Sequence, residues 1–401
     1  MLCQFTFKNF KSYKDETIFD FQAAALPEFK DTLITAESAP DLVPVSAVYG
    51  PNGGGKSNLL QALSCVISTI VRPVHELGKN RQSLILQQNV DAIPFLFDDV
   101  SANEPTEFKL FFLTGSNLYC YYIALKKDEV ISESLTRKSV SGKKPAELFD
   151  REKNKITLGY SINKKSINTN VNPKMPYLSF LAINYDIPEI GEVMTWFESC
   201  IIRNYANPMV EHQIMLDENA EYKNQFIRAL NDMDIDIMDY QYDIESKQLF
   251  MKRKLGKKEY ELSFTEESDG TRKLIAALPV ILLALREGRL VIIDELDAKL
   301  HPKLLRYVIL LFKNKDINRH GAQLLFTSHD MSTMKNTIFR RDEIWFAAAN
   351  EAHESDVYSL HEMRSEDGSR IKNTATYNKQ YLEGRYGADP YLQNMLGGAF
   401  E

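Results

Sequence analysis

The spacing of apolar and polar positions divides the chain into predicted strands and helices. Strict alternation in residues 1–21 predicts two strands joined near Lys14, because successive side chains of a strand point to opposite faces. Similar runs predict three more strands, at 94–97, 107–113 and 118–125. Further β-hairpin is predicted as far as about Lys165.

The middle of the chain has a helical pattern. Apolar residues recur at spacings of three and four around Trp196 and again around Phe226, as on one face of an α-helix. We therefore predict a helical insertion over residues 176–233. Strand-like runs return after it, at 235–242, 248–252 and 260–264.

A glycine-rich segment follows the apolar run of residues 43–49 and precedes a helical pattern that starts at Leu59. It reads G-P-N-G-G-G-K-S and fits G-x-x-x-x-G-K-[ST], in which glycines let backbone N–H groups turn inward around an anion. Lys56 can reach the β- and γ-phosphates of a nucleotide, and the Ser57 hydroxyl can bind Mg²⁺. The segment predicts a nucleoside triphosphate site formed by Gly50, Asn52, Gly53, Gly54, Gly55, Lys56, Ser57 and Asn58.

Two acidic residues follow a second apolar run, at 290–293, which is typical of a parallel strand buried on both faces. Open α/β sheets bind ligands at the carboxyl ends of their strands, and adjacent strand residues point to opposite sides. Asp294 is therefore predicted to support Mg²⁺, and Glu295 to reach the attacking water. A third apolar run ends in Ser328 and His329, which places His329 for contact with a γ-phosphate.

A further helix is predicted to begin after Ser268, a favourable N-cap residue, and its apolar face starts at Leu274. The pattern permits two interpretations. It is either an ordinary capped helix or a helix N-terminus that offers its amides to a phosphate.

The composition is that of a soluble globular protein, with 44% hydrophobic and 26% charged residues among 401. The chain has no apolar run of about eighteen residues and no signal-peptide core, so we expect a cytoplasmic protein without a membrane span. Its four cysteines are far apart and fit neither a zinc site nor a disulfide framework.

A net charge of −7 argues against a protein that coats nucleic acid. Basic clusters at 137–165 and 252–258 are either solvated hairpin tips or contacts for DNA, RNA or an acidic partner.

The motifs occur in the order F-K-N-F-K-S-Y, G-P-N-G-G-G-K-S-N, S-D-G-T, V-I-I-D-E-L-D-A-K-L-H and T-S-H-D. This order resembles the ABC-type ATPase heads of the SMC and RecF branch. The resemblance implies an α/β fold with a mixed β-sheet lobe, a parallel-sheet P-loop core and a short helical insertion. It also implies ATP and Mg²⁺ as cofactors, and a homodimer or higher homo-oligomer that closes around ATP.

By the same resemblance, Ser268 and Gly270 belong to the signature motif, which closes on the γ-phosphate held by the other subunit. Asp297 belongs to the loop that crosses the dimer interface. The catalytic residues implied are Lys56, Glu295 and the switch histidine, His329.

Two features depart from that family pattern. Asp269 replaces the first glycine of the usual L-S-G-G-Q signature, and Thr271 replaces its glutamine. The glutamine of the Q-loop has no assigned equivalent, although Gln87 and Gln88 lie in the corresponding region.

The branch of the family follows from spacing and from the tail. About 210 residues separate Lys56 from Ser268 without the sustained heptads of a long coiled-coil arm. The segments E-S-D-G-T-R-K-L and M-T-W-F and the tail Y-L-E-G-R-Y-G-A-D-P-Y-L are similar to the abortive-infection ATPases of the AbiL type and the AriA subunit of PARIS systems. The predicted division is 1–175 for the N-terminal part of the ATPase head, 176–233 for the insertion and 234–401 for the C-terminal part.

We therefore expect an ATP-hydrolysing sensor and scaffold of a bacterial antiphage system, with slow, dimerisation-dependent turnover. About 70 residues follow His329, too few for a Toprim nuclease, so the expected partners are a separate effector of the Toprim-like nuclease type and a phage-encoded trigger. Three other classes are weighed against this expectation: a RecF-like DNA-repair ATPase that binds DNA, a transporter ATPase, and a scaffold that binds ATP without hydrolysing it.

Overall fold

The computed structural model of the chain describes residues 1–35, 39–77, 90–140, 142, 144–162, 166–205, 208, 220–243, 245–365 and 368–388. Its N-terminal part contains an antiparallel sheet of seven strands in the order β2-β1-β4-β5-β6-β7-β8. The strands are β1 (Leu2–Lys8), β2 (Thr17–Asp20), β4 (Thr106–Thr114), β5 (Asn117–Lys126), β6 (Glu129–Ser139), β7 (Ala146–Glu152) and β8 (Lys155–Leu158).

Most strands of this sheet were predicted from the sequence. The strand predicted at residues 94–97 is wrong. Pro94 lacks the N–H that a ladder would need, and the segment is an irregular loop. The next residue is held by a side chain instead, because Phe95 N donates to Asn9 Oδ1 at 2.9 Å.

A second, mainly parallel sheet forms the core, in the order β16-β15-β3-β14-β13-β9 with only β16 antiparallel to its neighbour. Its strands are β3 (Val45–Tyr49), β9 (Ile201–Asn204), β13 (Leu290–Asp294), β14 (Gln323–Thr327), β15 (Ile344–Ala349) and β16 (Ser355–Ser359). Alternate residues face two separate apolar clusters: Val291 and Ile293 of β13 face one, and Leu290 and Ile292 the other. Burial on both faces explains why β3, β13 and β14 are continuous apolar runs.

Helices cover both faces of the core sheet. The helices are α1 (Lys56–Leu77), α2 (Tyr177–Asn184), α3 (Pro188–Ser199), α4 (Ala220–Asp232), α5 (Asp269–Glu287), α6 (Pro302–Lys313) and α7 (Tyr377–Leu382). Helices α1 to α3 share one apolar cluster with the antiparallel sheet, whereas α4 to α7 pack in the other. Short 3₁₀ turns occupy Lys30–Thr32, Ser101–Asn103, Phe264–Glu266 and Arg341–Glu343.

A small antiparallel sheet precedes α5 along the chain. It contains β10 (Asp239–Asp243), β11 (Gln248–Leu255) and β12 (Lys258–Ser263), in that order. The β11–β12 hairpin carries the basic cluster of residues 252–258. The strand predicted at 235–242 is β10, which starts later than expected, at Asp239.

The predicted helical insertion of residues 176–233 is wrong for the residues that directly follow Ser199. Helix α3 ends at Ser199, and Ile201–Asn204 instead forms β9, which pairs in parallel with β13. The ladder to β13 and the burial of Ile201 outweigh the local helical spacing. Residues 176–233 thus supply one strand of the core sheet as well as helices.

The described part of the tail packs against β15. The ring of Tyr381 stacks on Phe346 at 5.5 Å, and Tyr358 donates to the carbonyl of Tyr386 at 2.6 Å. These contacts give the aromatic residues of the tail a structural role. Residues 389–392 of the predicted tail motif lie outside the described residues.

Candidate functional site

The glycine loop connects the end of β3 to the start of α1, and close packing requires its glycines. Gly50 has φ 145°, and a Cβ there would lie 2.1 Å from the carbonyl oxygen of Ala347. At Gly55, with φ 104°, a Cβ would lie 2.6 Å from Ser355 Oγ. Neighbouring strands thus constrain the loop from behind, while Asn52 and Gly53 are exposed at its rim.

Lys56, the first residue of α1, folds back over this loop. Its Nζ donates to Gly50 O at 2.8 Å and to Pro51 O at 2.9 Å. Burial lowers the pKa of Lys56, and the carboxylates of Asp294 and Glu295 act in the opposite direction. A cation that is largely removed from water interacts strongly with a polyphosphate, because the local dielectric constant is low.

The acidic end of β13 meets the start of α1. Ser57 Oγ donates to Asp294 Oδ1 at 3.1 Å, and Thr327 Oγ1, at the end of β14, donates to the same oxygen at 2.6 Å. The structure therefore brings together the two segments that the sequence predicted to share one nucleotide. Asn58 faces the N-terminal lobe, and its amide donates to Ser12 Oγ at 2.8 Å.

Glu295 lies at the turn that follows β13, with its side chain exposed. Its backbone N–H donates to Thr327 Oγ1 at 2.7 Å, so Thr327 fixes both acidic residues. Its φ of 52° is in the left-handed region, which is uncommon for a residue other than glycine. Because β13 ends at Asp294, Glu295 lies just past the strand, and the strand alternation expected for the acidic pair does not extend to it.

Asp297 and His329 are joined through the backbone. Asp297 Oδ2 accepts a hydrogen bond of 2.9 Å from the N–H of His329, whose side chain is exposed. The other oxygen, Asp297 Oδ1, is buried and has no hydrogen-bond partner among the residues that the structure describes. The two residues thus form one corner of the site.

Ser268 and Gly270 lie at the N-terminus of α5. Ser268 is the N-cap, and its Oγ accepts a hydrogen bond of 3.2 Å from Thr271 N. Among the described residues, no hydrogen bond joins Ser268 or Gly270 to the glycine loop of the same chain. The structure therefore shows the capped helix, and the phosphate-binding interpretation stays a prediction.

Two residues of β9 were missed by sequence reasoning. The strand register pairs Asn204 with Asp294 and Arg203 with Ile293. Both residues line a cavity together with Ser57 and Asp294. They could not be found from the sequence, because β9 was taken as helix. The two glutamines that lie in the region corresponding to the Q-loop, Gln87 and Gln88, are outside the described residues.

The oxygen atoms of Ser57 and Asp294 form a donor set that fits Mg²⁺. A hydroxyl and a carboxylate oxygen lie 3.1 Å apart, at Ser57 and Asp294. Within the described ranges, no group of three or more His, Cys, Asp or Glu side chains could hold a metal. Mg²⁺ commonly uses one or two protein oxygens together with phosphates and water.

These features define a P-loop ATPase, with its glycine loop after a parallel strand and an acidic pair at the end of a neighbouring strand. Residues 45–335 match the sequence model of the family described as "AAA domain, putative AbiEii toxin, Type IV TA system", and the chain belongs to this family. The predicted resemblance to abortive-infection ATPases is thus confirmed at the level of the family.

One curated relative and two solved structures extend the comparison. The chain is 22% identical over 371 residues to the Septu protein PtuA of Bacillus mycoides (strain KBAB4), covering 90% of this chain but only 43% of that protein. It also matches an SMC head bound to the C-winged helix domain of ScpA, with a TM-score of 0.42 and 14% identity over 89% of this chain and 97% of that one. A dimeric ATP-binding cassette bound to ADP and Pi gives a TM-score of 0.30 and 12% identity over 86% and 94% of the two chains.

In the part of the chain that the structure describes, no helix is long and apolar enough to span a membrane.

Proposed function

We propose that this protein is the ATP-binding and ATP-hydrolysing sensor and scaffold of a bacterial antiphage system of the abortive-infection kind. The observation that carries the proposal is the contact of Asp294 with both Ser57 and Thr327, at 3.1 and 2.6 Å. It joins a phosphate-binding loop to an acidic strand end. Membership of the AAA-domain family and the similarity to PtuA support the assignment to defence.

In the proposed mechanism, the loop amides and Lys56 neutralise the β- and γ-phosphates. Ser57 and Asp294 would hold Mg²⁺, which stabilises the charge that develops on the phosphates. Glu295 orients the attacking water and accepts its proton. His329 contacts the γ-phosphate, and Asn204, next to Asp294, adds an amide on the Mg²⁺ side of the site.

The proposed assembly is a homodimer in which Ser268 and Gly270 of each copy close on the nucleotide of the other. This requirement would make turnover slow and dependent on dimerisation. Asp297, which the family resemblance assigns to the loop that crosses the interface, belongs to the same proposed contact. The separate effector, of the Toprim-like nuclease type, and a phage-encoded trigger belong to the same proposal.

Two variants test this function. Lys56→Ala should abolish ATP binding and turnover, because the cation beside the phosphates is lost. Glu295→Gln should keep ATP binding while turnover falls by about 100-fold or more, the usual effect of removing a general base. The matched controls are Lys30→Ala and Glu351→Gln, which alter exposed residues outside the site. Unchanged turnover in both test variants would refute the ATPase assignment.

The defence role needs a test in cells. Bacteria that carry the native locus with the wild-type chain should restrict phage growth, whereas the Lys56→Ala and Glu295→Gln loci should lose most of that protection. Full protection by both variants would contradict a role for ATP turnover in defence. The plating efficiency of a phage panel measures the result.

One observation favours a second candidate function, a DNA-binding ATPase of the RecF kind. At the tip of the β11–β12 hairpin, the exposed residues include Lys254, Lys257 and Lys258. DNA affinity at such a tip should fall steeply with salt and should weaken when these lysines are changed to glutamine. Binding that is equally weak in the wild type and in the triple variant would remove this candidate.

A further inference from the structure

Lys273 is a buried cation to which the sequence motifs assign no role. It lies in the second turn of α5 and is 1% exposed. Its Nζ donates to the carbonyl oxygen of Glu295 at 2.6 Å and to that of Ala298 at 2.9 Å. A buried ammonium group is strongly destabilising unless such acceptors replace its water, so these two hydrogen bonds define its position. Both carbonyls belong to residues 295–299, which we call the acidic turn.

The acidic turn has a backbone that must be held in place. Glu295 and Lys299 have φ values of 52° and 63°, in the left-handed region. Such conformations in residues other than glycine cost on the order of 1–3 kcal/mol each and persist only when the surrounding structure enforces them. Lys273 is well placed to do this, because its two hydrogen bonds reach the first residue of the acidic turn and one near its end.

Two further contacts join the acidic turn to the start of α5. Lys299 Nζ donates to Asp269 Oδ2 at 2.8 Å, and Arg272 also pairs with Asp269. At Gly270, a Cβ would lie 2.8 Å from the carbonyl oxygen of Lys299, so only glycine allows this approach without a shift. The aspartate that departs from the usual signature thus has a partner in the acidic turn.

We propose that Lys273 is a positioning residue for ATP hydrolysis, which holds the acidic turn so that Glu295 faces the attacking water. This inference rests on the proposed function. Because Lys273 lies on the helix whose N-terminus carries Ser268, the acidic turn and the signature end of α5 move as one unit. Closure of α5 on the nucleotide of a partner copy then sets the position of Glu295 in its own subunit.

Lys273→Met tests the proposal, since methionine keeps most of the side-chain volume but has no donor. The full-length variant is compared with Lys273→Arg, which can still donate to both carbonyls, and with the exposed control Lys303→Met. We expect kcat of Lys273→Met to fall about 10- to 100-fold, as for a misplaced catalytic group. Its Kd for a non-hydrolysable ATP analogue should stay within about twofold of the wild type, because Lys56 and the glycine loop are untouched.

Each outcome decides the matter. Lost turnover with retained binding, partly restored in Lys273→Arg, supports the proposal. Wild-type kcat in Lys273→Met overturns it, as does a parallel loss of binding and turnover. If Lys273→Met does not fold, Lys299→Met replaces it, since that side chain is 54% exposed; a lower kcat at unchanged Kd supports the proposal, and wild-type kcat overturns it. If the wild-type chain itself does not hydrolyse ATP, the proposed function fails, and this inference fails with it.

Discussion

Ser57 and Asp294 are 237 residues apart in the sequence, yet Ser57 Oγ donates to Asp294 Oδ1 at 3.1 Å. The contact is possible because β3 and β13 flank β14 in one parallel sheet, so their carboxyl ends meet at the same edge. A strand end with a carboxylate next to a helix start with a hydroxyl is the arrangement that binds Mg²⁺ beside a triphosphate.

This pair should determine how turnover depends on Mg²⁺. Asp294→Asn weakens one oxygen ligand of the proposed Mg²⁺ site and Ser57→Ala removes the other, so we expect each variant to need about tenfold more Mg²⁺ for half-maximal turnover, the usual scale for a lost metal-site contact. Asp294→Asn should have the larger effect because it also removes a charge. Mg²⁺ titration of ATP turnover measures the result.

The control for the magnesium prediction is Ser68→Ala, on the same helix. Ser68 is buried and donates to Cys65 O at 3.0 Å, away from the acidic residues. Its Mg²⁺ dependence should match that of the wild type. Identical Mg²⁺ curves for Asp294→Asn and the wild type would show that these residues do not hold the ion.

The glycines of the loop should differ in their tolerance of alanine. Gly50→Ala places a Cβ 2.1 Å from a backbone oxygen of β15, so we expect loss of ATP binding and a large loss of stability. Gly53→Ala meets no atom within 4 Å, and its φ of 79° alone should cost about 1–2 kcal/mol. Thermal unfolding and ATP binding of both variants check this order. Equal behaviour of the two variants would mean that contact with β15 does not constrain the loop.

The sequence alone was sufficient to predict those strands of the core sheet that are apolar runs ending in chemically distinctive residues. This holds for β3, β13 and β14, which lead into Gly50, Asp294 and Ser328. It failed for β9, because a four-residue strand directly after a helix has no period of its own. Its identity depends on the ladder to β13, which lies far along the chain.

The residues that hold the acidic residues of the site in place could not be predicted from the sequence either. Thr327 looks like an ordinary strand residue, and only the structure shows its hydroxyl between Asp294 and the N–H of Glu295. Lys273 looks like a surface lysine of an amphipathic helix, yet it is buried against the acidic turn. Such roles arise from tertiary contacts, which local spacing does not encode.

A buried carboxylate outside the site should contribute strongly to stability. Glu133 accepts hydrogen bonds from Tyr121 OH at 2.9 Å and from the N–H groups of Tyr177 and Leu178 at 2.6 and 2.9 Å, at the start of α2. Arg151 lies 3.7 Å away. Glu133→Gln leaves that guanidinium without its charged partner, so we expect the free energy of unfolding to fall by about 3–5 kcal/mol. Urea denaturation measures the change.

The exposed Glu129, on the same strand, provides the control for Glu133. Glu129→Gln should change the free energy of unfolding by no more than about 0.5 kcal/mol. Equal denaturation midpoints for the two variants would show that the buried carboxylate is replaceable by a neutral amide.

Mixing two inactive variants should show whether the site is shared between copies. Lys56→Ala has a defective glycine loop but an intact Ser268, whereas Ser268→Arg has the reverse. In a symmetric dimer with exchanging subunits, each mixed dimer then contains one intact composite site, so an equimolar mixture should recover about a quarter of wild-type turnover. Ser246→Arg, an exposed change distant in sequence from the signature, should be active by itself. A mixture as inactive as its components would refute the shared site, and full activity of Ser268→Arg alone would remove Ser268 from it.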